Sequence, residues 1–345
     1  MAKLKYLSVL ILPISVWISF TQHGIWCFLP GLVFFAFVPL FELVFPAVTS
    51  NLSSEDVERY KNDIFYDLVL YILVPIQWIF IVFFLMNMRE DMGLIDRVGR
   101  ISSLGIMCGV IGINVGHELG HRTDRAKQFL GELLLLSSLE THFLPYHNSG
   151  HHANAGTFED PATARPNETV YRFIIRSHFG SYLQAWKFEN QRMRIQKRSM
   201  LNASNRMVVY TVVQVLLLLS ILLIFGWLVL INFFIAASIG VVLLEIVNYI
   251  EHYGLMRRKR ENGTYEVFKR CHAWNANQVA SRILLFELSR HSDHHVKPDK
   301  PYQILACDEE SPVMPTGYAG MMLLSLIPSL FFNVMNPRVE KALGK

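Results

Sequence analysis

The stretch that decides the fold is residues 101–121, ISSLGIMCGVIGINVGHELGH. It is uncharged until its last turn, where a glutamate stands between two histidines. A helix needs about 20 residues to cross the ~30 Å apolar core of a bilayer. This stretch therefore predicts a membrane-spanning helix that ends with His117 and His121 near the water boundary.

Five further apolar stretches have the length of a membrane span. The 345-residue chain is 52% hydrophobic and 17% charged, whereas soluble proteins carry about 25% charged residues. Very short turns join the first two and the last two spans, which predicts three antiparallel hairpins. The predicted fold class is an all-α integral membrane protein with six transmembrane helices and a single membrane domain over residues 1–345. The predicted spans are 4–21, 25–48, 64–85, 101–121, 207–227 and 229–253.

Positive charge indicates the orientation. Six crossings put both termini on one side, and lysine and arginine concentrate in the segments that share this side. Because these residues favour the cytoplasm, we expect cytoplasmic termini and a cytoplasmic cap formed by residues 122–206 and 254–345. One loop dissents, since three arginines between the third and fourth spans would lie outside: Arg89, Arg97 and Arg100.

Two less regular apolar stretches lie within the predicted cap. Residues 128–146 contain two glutamates and a histidine, and predict a buried or membrane-surface helix. Residues 317–335 contain Pro328 and predict an interfacial or re-entrant helix.

Charge and cysteine spacing exclude several classes of function. The formal net charge of +4 is too small to predict nucleic-acid binding. No cysteine lies within four residues of another, which excludes a zinc ribbon or a rubredoxin-like centre in this chain. The chain also has no dinucleotide-binding fingerprint and no haem signature. Any electrons that it uses must therefore come from a separate protein.

Histidines form four motifs at the ends of predicted spans or in the loops that follow them. Pairs spaced i,i+4 on a helix, such as His117/His121 and His147/His151, place both imidazoles on one face. Imidazole suits iron, copper, zinc or nickel. Nine histidines are too many for one ion, so we predict two metal ions with four or five ligands each. The sequence leaves open which histidines share an ion. The predicted ligands are His117, His121, His147, His151, His152, His252, His291, His294 and His295.

Three other interpretations use part of this pattern. HELGH at 117–121 matches the H-E-x-x-H signature of zinc metalloproteases, in which the glutamate is the general base. This leaves the other histidine motifs unexplained. E-x-x-H at 118–121 occurs in carboxylate-bridged di-iron bundles, which need two such motifs. A metal transporter would need polar groups along its spans, and most of the predicted spans are almost purely apolar.

Several stretches beyond the histidine spacing carry a narrower signal: EDPAT at 159–163, NYIEHYGL at 248–255, CHAWNANQ at 271–278, LSRHSDHH at 288–295 and PTGY at 315–318. With the histidine motifs, they resemble the integral-membrane alkane 1-monooxygenases, within the membrane fatty-acid desaturase and hydroxylase superfamily. The resemblance extends from about His117 to Val339. It departs at Tyr146, where the family often has an acidic residue.

The resemblance implies six transmembrane helices in a bacterial inner membrane and a cytoplasmic cap that holds two non-haem irons on histidine ligands. The implied reaction converts an alkane, O2, two electrons and two protons into a 1-alkanol and water. Rubredoxin, with its reductase, is the implied electron donor. The alternative is a related membrane hydroxylase or desaturase that acts on alkyl-aromatic or fatty acyl substrates.

Further residues are expected to support this chemistry. Carboxylates that hold the second ring nitrogen of a ligating imidazole tune a metal site, and the resemblance adds a supporting or structural histidine. These candidates are Glu118, Asp160, Glu251, Asp293 and His272. An alkane would enter from lipid through a channel among the spans. Trp78 and Phe80 of the third span are candidates for limiting chain length. The basic segments 187–206 and 257–270 would suit an acidic electron donor.

Overall fold

The computed structural model describes residues 2–88 and 90–344, so Arg89 of the dissenting loop lies outside the described residues. Within them the regular elements are helices, and β-structure is limited to two isolated bridges. The prediction of an all-α fold is confirmed. The main helices are α1 (Lys3–Thr21), α2 (Gly24–Val44), α3 (Ser54–Lys61), α4 (Ile64–Asn87), α5 (Leu94–Gly120), α6 (Arg125–Ser137), α7 (143–154), α8 (Val170–Ile195), α9 (Arg206–Phe225), α10 (Trp227–His252), α11 (Val279–Leu284), α12 (His291–Val296), α13 (Tyr318–Ser325) and α14 (Pro328–Ala342).

Six of these helices, α1, α2, α4, α5, α9 and α10, are long and apolar enough to cross a membrane. Two of their boundaries differ clearly from the predicted ones. Helix α2 ends at Val44 because Phe45 is extended before Pro46, and a residue that precedes proline disfavours the helical conformation. Helix α5 begins at Leu94. Its Arg100 is buried within the helix and donates to the Gln22 carbonyl oxygen at 3.3 Å.

The two irregular apolar stretches are each broken into two helices, and not continuous as predicted. Helix α6 ends at Ser137, and Leu139 then adopts a positive φ of 58°, which no right-handed helix can contain. Helix α13 ends at Ser325, and Pro328 starts α14 at a position where proline is favourable. The first break turns the chain into the segment that carries the second histidine motif.

Helix α5 is the most buried of the six spans and packs against α10 on one side and α6 on the other. Close approach to α10 depends on Gly105, where a Cβ atom would lie 2.6 Å from Ile239. On the α6 side, a Cβ atom at Gly116 would lie 3.0 Å from the Leu135 side chain. Small residues spaced four apart thus let helices pack closely. This packing sets the position of His117 and His121 along the helix bundle.

Candidate metal centre

Four elements bring all nine predicted ligands together at one end of the helix bundle. The end of α5, helix α7, the end of α10 and the short helix α12 each contribute. Seven of these histidines are buried, and His121 and His152 are partly exposed. The histidines separate into two compact groups, and within each group the nitrogen atoms that could bind an ion lie within 4.8 Å of one another.

The first is the five-histidine group, which comprises His117, His121, His147, His152 and His294. Nε2 of His117 lies 2.9 Å from Nε2 of both His121 and His147. The same atom lies 3.1 Å from Nε2 of His294. Nε2 of His152 closes the group, at 3.0 Å from His147 and 3.3 Å from His121.

The second is the four-histidine group, which comprises His151, His252, His291 and His295. Nε2 of His291 lies 3.0 Å from Nε2 of both His252 and His295. Nε2 of His151 lies 3.2 Å from that of His295. All four side chains are buried.

The second histidine motif contributes ligands to both groups, and the local helix geometry explains how. Residues His147–His151 form a π-helical turn, in which backbone hydrogen bonds join residues five apart and not four. His147 therefore shares a group with His152, and His151 joins the other group. The sequence left open which histidines share an ion, and the structure places His147 and His151 in different groups.

The arrangement fits metal ions better than hydrogen bonds among the rings. A neutral imidazole has one N–H, so a proton shared between two Nε2 atoms leaves the other nearby Nε2 lone pairs facing one another. Three Nε2 atoms surround that of His117 at 3.1 Å or less. Imidazole binds zinc at about 2.0–2.1 Å, so two ligands at right angles are about 3.0 Å apart. The observed spacings match such a pair.

The protonation state of the rings also suits metal binding. Burial, with the charges of neighbouring histidines, lowers the pKa of six cap histidines in the two groups. The imidazoles are therefore neutral at ordinary pH, the form in which they bind metals. The residues concerned are His121, His147, His152, His291, His294 and His295.

Two of the predicted supporting carboxylates lie against the four-histidine group. Asp160 Oδ2 accepts from Nδ1 of His151 at 3.0 Å, and Glu251 Oε1 lies 3.2 Å from Nδ1 of His291. Burial alone would raise the pKa of Asp160, but the charge of His151 and hydrogen bonds from His151, Thr163 and Tyr146 lower it to about 2. Asp160 is therefore a buried, permanently charged partner for one ligand.

The other predicted supporting residues have different partners. Glu118 accepts from the Arg122 guanidinium at 2.9 Å and from the backbone N–H of Tyr302 at 3.2 Å. Asp293 accepts from Lys300 Nζ at 2.6 Å. Glu118 and Asp293 thus fix the protein around the ligands, and their hydrogen bonds among the described residues do not go to imidazoles.

His272 is a structural histidine that reaches the metal centre through an aromatic side chain. Its Nδ1 accepts from the backbone N–H of Lys269 at 2.9 Å. The Phe268 ring packs against the His272 ring. It also stacks on the His295 ring, with 4.9 Å between the ring centroids. Since Phe268 is only half-buried, it connects the surface to the four-histidine group.

An apolar cavity leads to the histidines from among the spans α2, α5 and α10 and the cap helix α13. About 900 Å³ of space lies between its lining side chains, and this figure includes the opening. Its histidine residues are His117 and His147 of the five-histidine group and His291 of the four-histidine group. Most of the remaining lining is apolar, so the cavity suits a ligand without polar groups.

The predicted channel residues do not line this cavity. Trp78 and Phe80 lie on α4, which packs against α1 and α6, and Phe80 is 6.3 Å from the Phe20 ring between centroids. The cavity instead uses two π-helical turns, Val33–Phe37 in α2 and Cys108–Ile113 in α5. The third span is apolar because it packs and faces lipid, which composition alone does not distinguish from a channel wall.

Two polar residues of the cavity were missed by the sequence analysis. The Tyr318 hydroxyl donates to Glu251 Oε1 at 2.7 Å, and Asn248 lies one helical turn before His252. Tyr318 is the last residue of the PTGY stretch, and Asn248 is the first of NYIEHYGL. Both stretches carried the family resemblance, which was the signal that could have identified them.

The chain was compared with known proteins. The family model described as "Fatty acid desaturase" matches residues 98–322. Alkane 1-monooxygenase 1 of Pseudomonas aeruginosa is 35% identical, with 97% of this chain and 89% of that protein covered. Alkane 1-monooxygenase of Ectopseudomonas oleovorans is 35% identical over 94% of this chain and 82% of that protein. The xylene/toluene monooxygenase hydroxylase component XylM of Pseudomonas putida is 28% identical over 96% and 87%.

Proposed function

The chain is an integral membrane protein of the alkane 1-monooxygenase family, within the fatty acid desaturase superfamily, and we propose that it hydroxylates the terminal methyl group of alkanes to give 1-alkanols. The observation that carries this proposal is an apolar cavity among membrane helices that ends at histidines of both groups. A saturated chain has no polar handle for a protein acid or base, so the reactive species must come from a cofactor.

We propose that each histidine group holds one non-haem iron. The ligands would be His117, His121, His147, His152 and His294 for one ion, and His151, His252, His291 and His295 for the other. When bound, the two irons would supply the redox chemistry that activates O2 for insertion into a C–H bond. The protein holds the imidazoles neutral and oriented, with Asp160 and Glu251 fixing two of the rings.

The cavity provides selectivity by shape. Its apolar walls exclude water from the reaction, and they accept an alkyl chain directly from the membrane. A chain that enters the cavity lengthwise from the membrane would present its end to His117, His147 and His291 first. Terminal hydroxylation then follows from orientation, without any residue that recognises the methyl group chemically.

Electrons would come from rubredoxin with its reductase, docked on the cap. We propose that the entry point is near Phe268, which joins a half-exposed surface to His295. Arg270 and Lys300 lie beside Asp293 in the same region, so an acidic carrier would find positive charge there. We further propose one membrane domain, with residues 122–206 and 254–345 as a cytoplasmic cap of the bacterial inner membrane.

The experiment is product analysis with the purified protein in lipid nanodiscs. The reaction contains ¹⁸O2, reduced rubredoxin and a series of linear alkanes, and the expected product is a 1-alkanol that carries one ¹⁸O atom. The same panel contains alkylbenzenes and fatty acids, because XylM is also similar to this chain. Oxidation of the alkylbenzenes or fatty acids, with no oxidation of the alkanes, would favour the alternative substrates and overturn the proposal.

The metalloprotease interpretation of HELGH fits the structure poorly. A general base must face the metal-bound water, whereas Glu118 is engaged by Arg122 and by the backbone of Tyr302. One zinc site would also leave the four-histidine group without a role. Metal analysis distinguishes the oxygenase from the metalloprotease. An oxygenase is expected to hold about two irons per chain, and a zinc metalloprotease about one zinc.

A further inference from the structure

A third cluster of potential metal ligands lies outside the two histidine groups. It consists of Glu140 in the turn after α6, His142 just before α7, and His178 on α8. Nε2 of His142 lies 3.1 Å from Glu140 Oε1, and Nδ1 of His178 lies 3.9 Å from Glu140 Oε2. One ligand atom from each residue lies within 4.8 Å of the others. None of these three residues belongs to the proposed iron sites.

The cluster has unsatisfied polar atoms that point to a missing cation. Glu140 is 2% exposed, and its Oε2 has no hydrogen-bond partner. Nδ1 of His178, which faces this carboxylate, also has none. A buried polar atom without a partner costs about 1–3 kcal/mol, and two such atoms facing each other here would both be satisfied by one cation.

The protonation states are compatible with an ion at the cluster. Burial lowers the pKa of His142, with a contribution from His178, and burial alone lowers that of His178, so both imidazoles are in the neutral form that binds metals. Burial and the charge of Glu245 on α10 raise the pKa of Glu140, so this carboxyl is protonated when no ion is bound. A divalent ion would displace that proton and bind the carboxylate.

We propose that Glu140, His142 and His178 bind a divalent transition metal of the zinc class. Two imidazoles and one carboxylate are a donor set that binds zinc in proteins. His178 is half-exposed, so an ion can reach the cluster from the surface. This inference goes beyond the proposed oxygenase function and does not rest on it.

The site would act as a structural clamp. It would join α8 to the turn that leads into α7, only five residues before His147. Phe143 lies between the two sites, since it follows His142 directly and stacks on the His147 ring at 4.4 Å between centroids. A metal at the cluster would therefore stabilise the turn between α6 and α7, next to the segment that carries three of the proposed iron ligands.

The test is the metal content of the full-length protein in detergent micelles or nanodiscs. The protein is treated with a chelator, reloaded with iron(II) and zinc, and analysed for both metals by mass spectrometry. His178→Ala and Glu140→Gln are compared with the parent. Tyr182→Phe is the matched control, because its ring packs on His142 at 5.2 Å between centroids but is not part of the cluster. Replacing zinc with cobalt(II) gives visible absorption bands that report nitrogen and oxygen ligation.

The parent and Tyr182→Phe are expected to bind about one zinc per chain beyond the metal held by the nine histidines. His178→Ala and Glu140→Gln are expected to lose that zinc and its cobalt spectrum while they keep the parent's iron content. Equal zinc binding by His178→Ala and the parent, or no zinc in the parent, would overturn the proposal. Because iron content and alkanol formation are measured separately, failure of this site is distinguishable from failure of the oxygenase function.

Discussion

Replacing Asp160 by asparagine tests whether the four-histidine group is an independent metal site. The Asp160 carboxylate accepts from Nδ1 of His151 and the Thr163 hydroxyl on Oδ2, and from the Tyr146 hydroxyl and the Ala162 N–H on Oδ1. An asparagine must turn its NH2 group toward one of these two sides. On either side it meets a fixed N–H donor, so one hydrogen bond becomes a donor–donor clash.

The expected cost follows from this geometry. Loss of a partner that orients a metal-bound histidine typically lowers metal affinity about 10–100-fold, which is about 1.4–2.8 kcal/mol. Asp160→Asn should therefore weaken the binding of one of the two proposed irons by this factor and leave the binding of the other unchanged. The reason is that His151, the partner of Asp160, belongs only to the four-histidine group. Iron titration followed by Mössbauer spectroscopy would resolve the two populations.

The matched control is Asp293→Asn. Asp293 is also a buried carboxylate beside metal ligands, but it accepts from Lys300, Arg270 and the Ala306 N–H. The Asp293→Asn substitution should therefore leave both proposed irons bound. If Asp160→Asn bound both irons with the parent's affinity, or lost both to the same extent, the division into two groups or the role of Asp160 would be refuted.

Three further predictions concern the ligands, the packing and the electron path. His252→Ala removes one ligand from the smaller group and should lower iron content from about two to about one per chain, as measured by elemental analysis. Gly105→Val places a side chain against Ile239, where a Cβ atom already lies at 2.6 Å, so it should destabilise the protein by about 1–3 kcal/mol, seen as a lower thermal unfolding midpoint. Phe268→Ala removes the aromatic contact with His295 and should slow reduction by rubredoxin in stopped-flow measurements without loss of iron.

The sequence predicts the membrane fold and the ligand set because both depend on strong local signals. Long apolar runs have few alternatives to a membrane helix, and the nine histidines lie in closely spaced motifs at the ends of those runs or in the loops that follow them. The assignment of histidines to two groups depends on a π-helical turn at His147–His151. One extra residue in a helical turn has no distinct composition, so the sequence leaves the division of the histidines into groups open.

The cavity and the cluster at Glu140 were missed for a different reason. Every span is rich in apolar residues, and only packing decides which side chains face lipid, a neighbouring helix or a cavity. Trp78 and Phe80 were predicted to line a channel, whereas the cavity beside the histidines is lined by residues of α2, α5, α10 and α13. Glu140, His142 and His178 are separated by up to 38 positions in the chain. Such a site becomes visible only when α8 is placed against the turn after α6.

The supporting charges make the two histidine groups chemically different. Both carboxylates that lie against a ligand imidazole, Asp160 and Glu251, belong to the four-histidine group. In the described part of the chain, no carboxylate forms an ion pair with an imidazole of the five-histidine group, and the nearby Asp293 is neutralised by Lys300. An uncompensated dication is costly in a buried site, so the five-histidine group depends on its additional neutral ligand for affinity. A chelator should therefore remove the two proposed ions at different rates. Substitution of Asp160 or Glu251 should change the rate only for the ion in the four-histidine group.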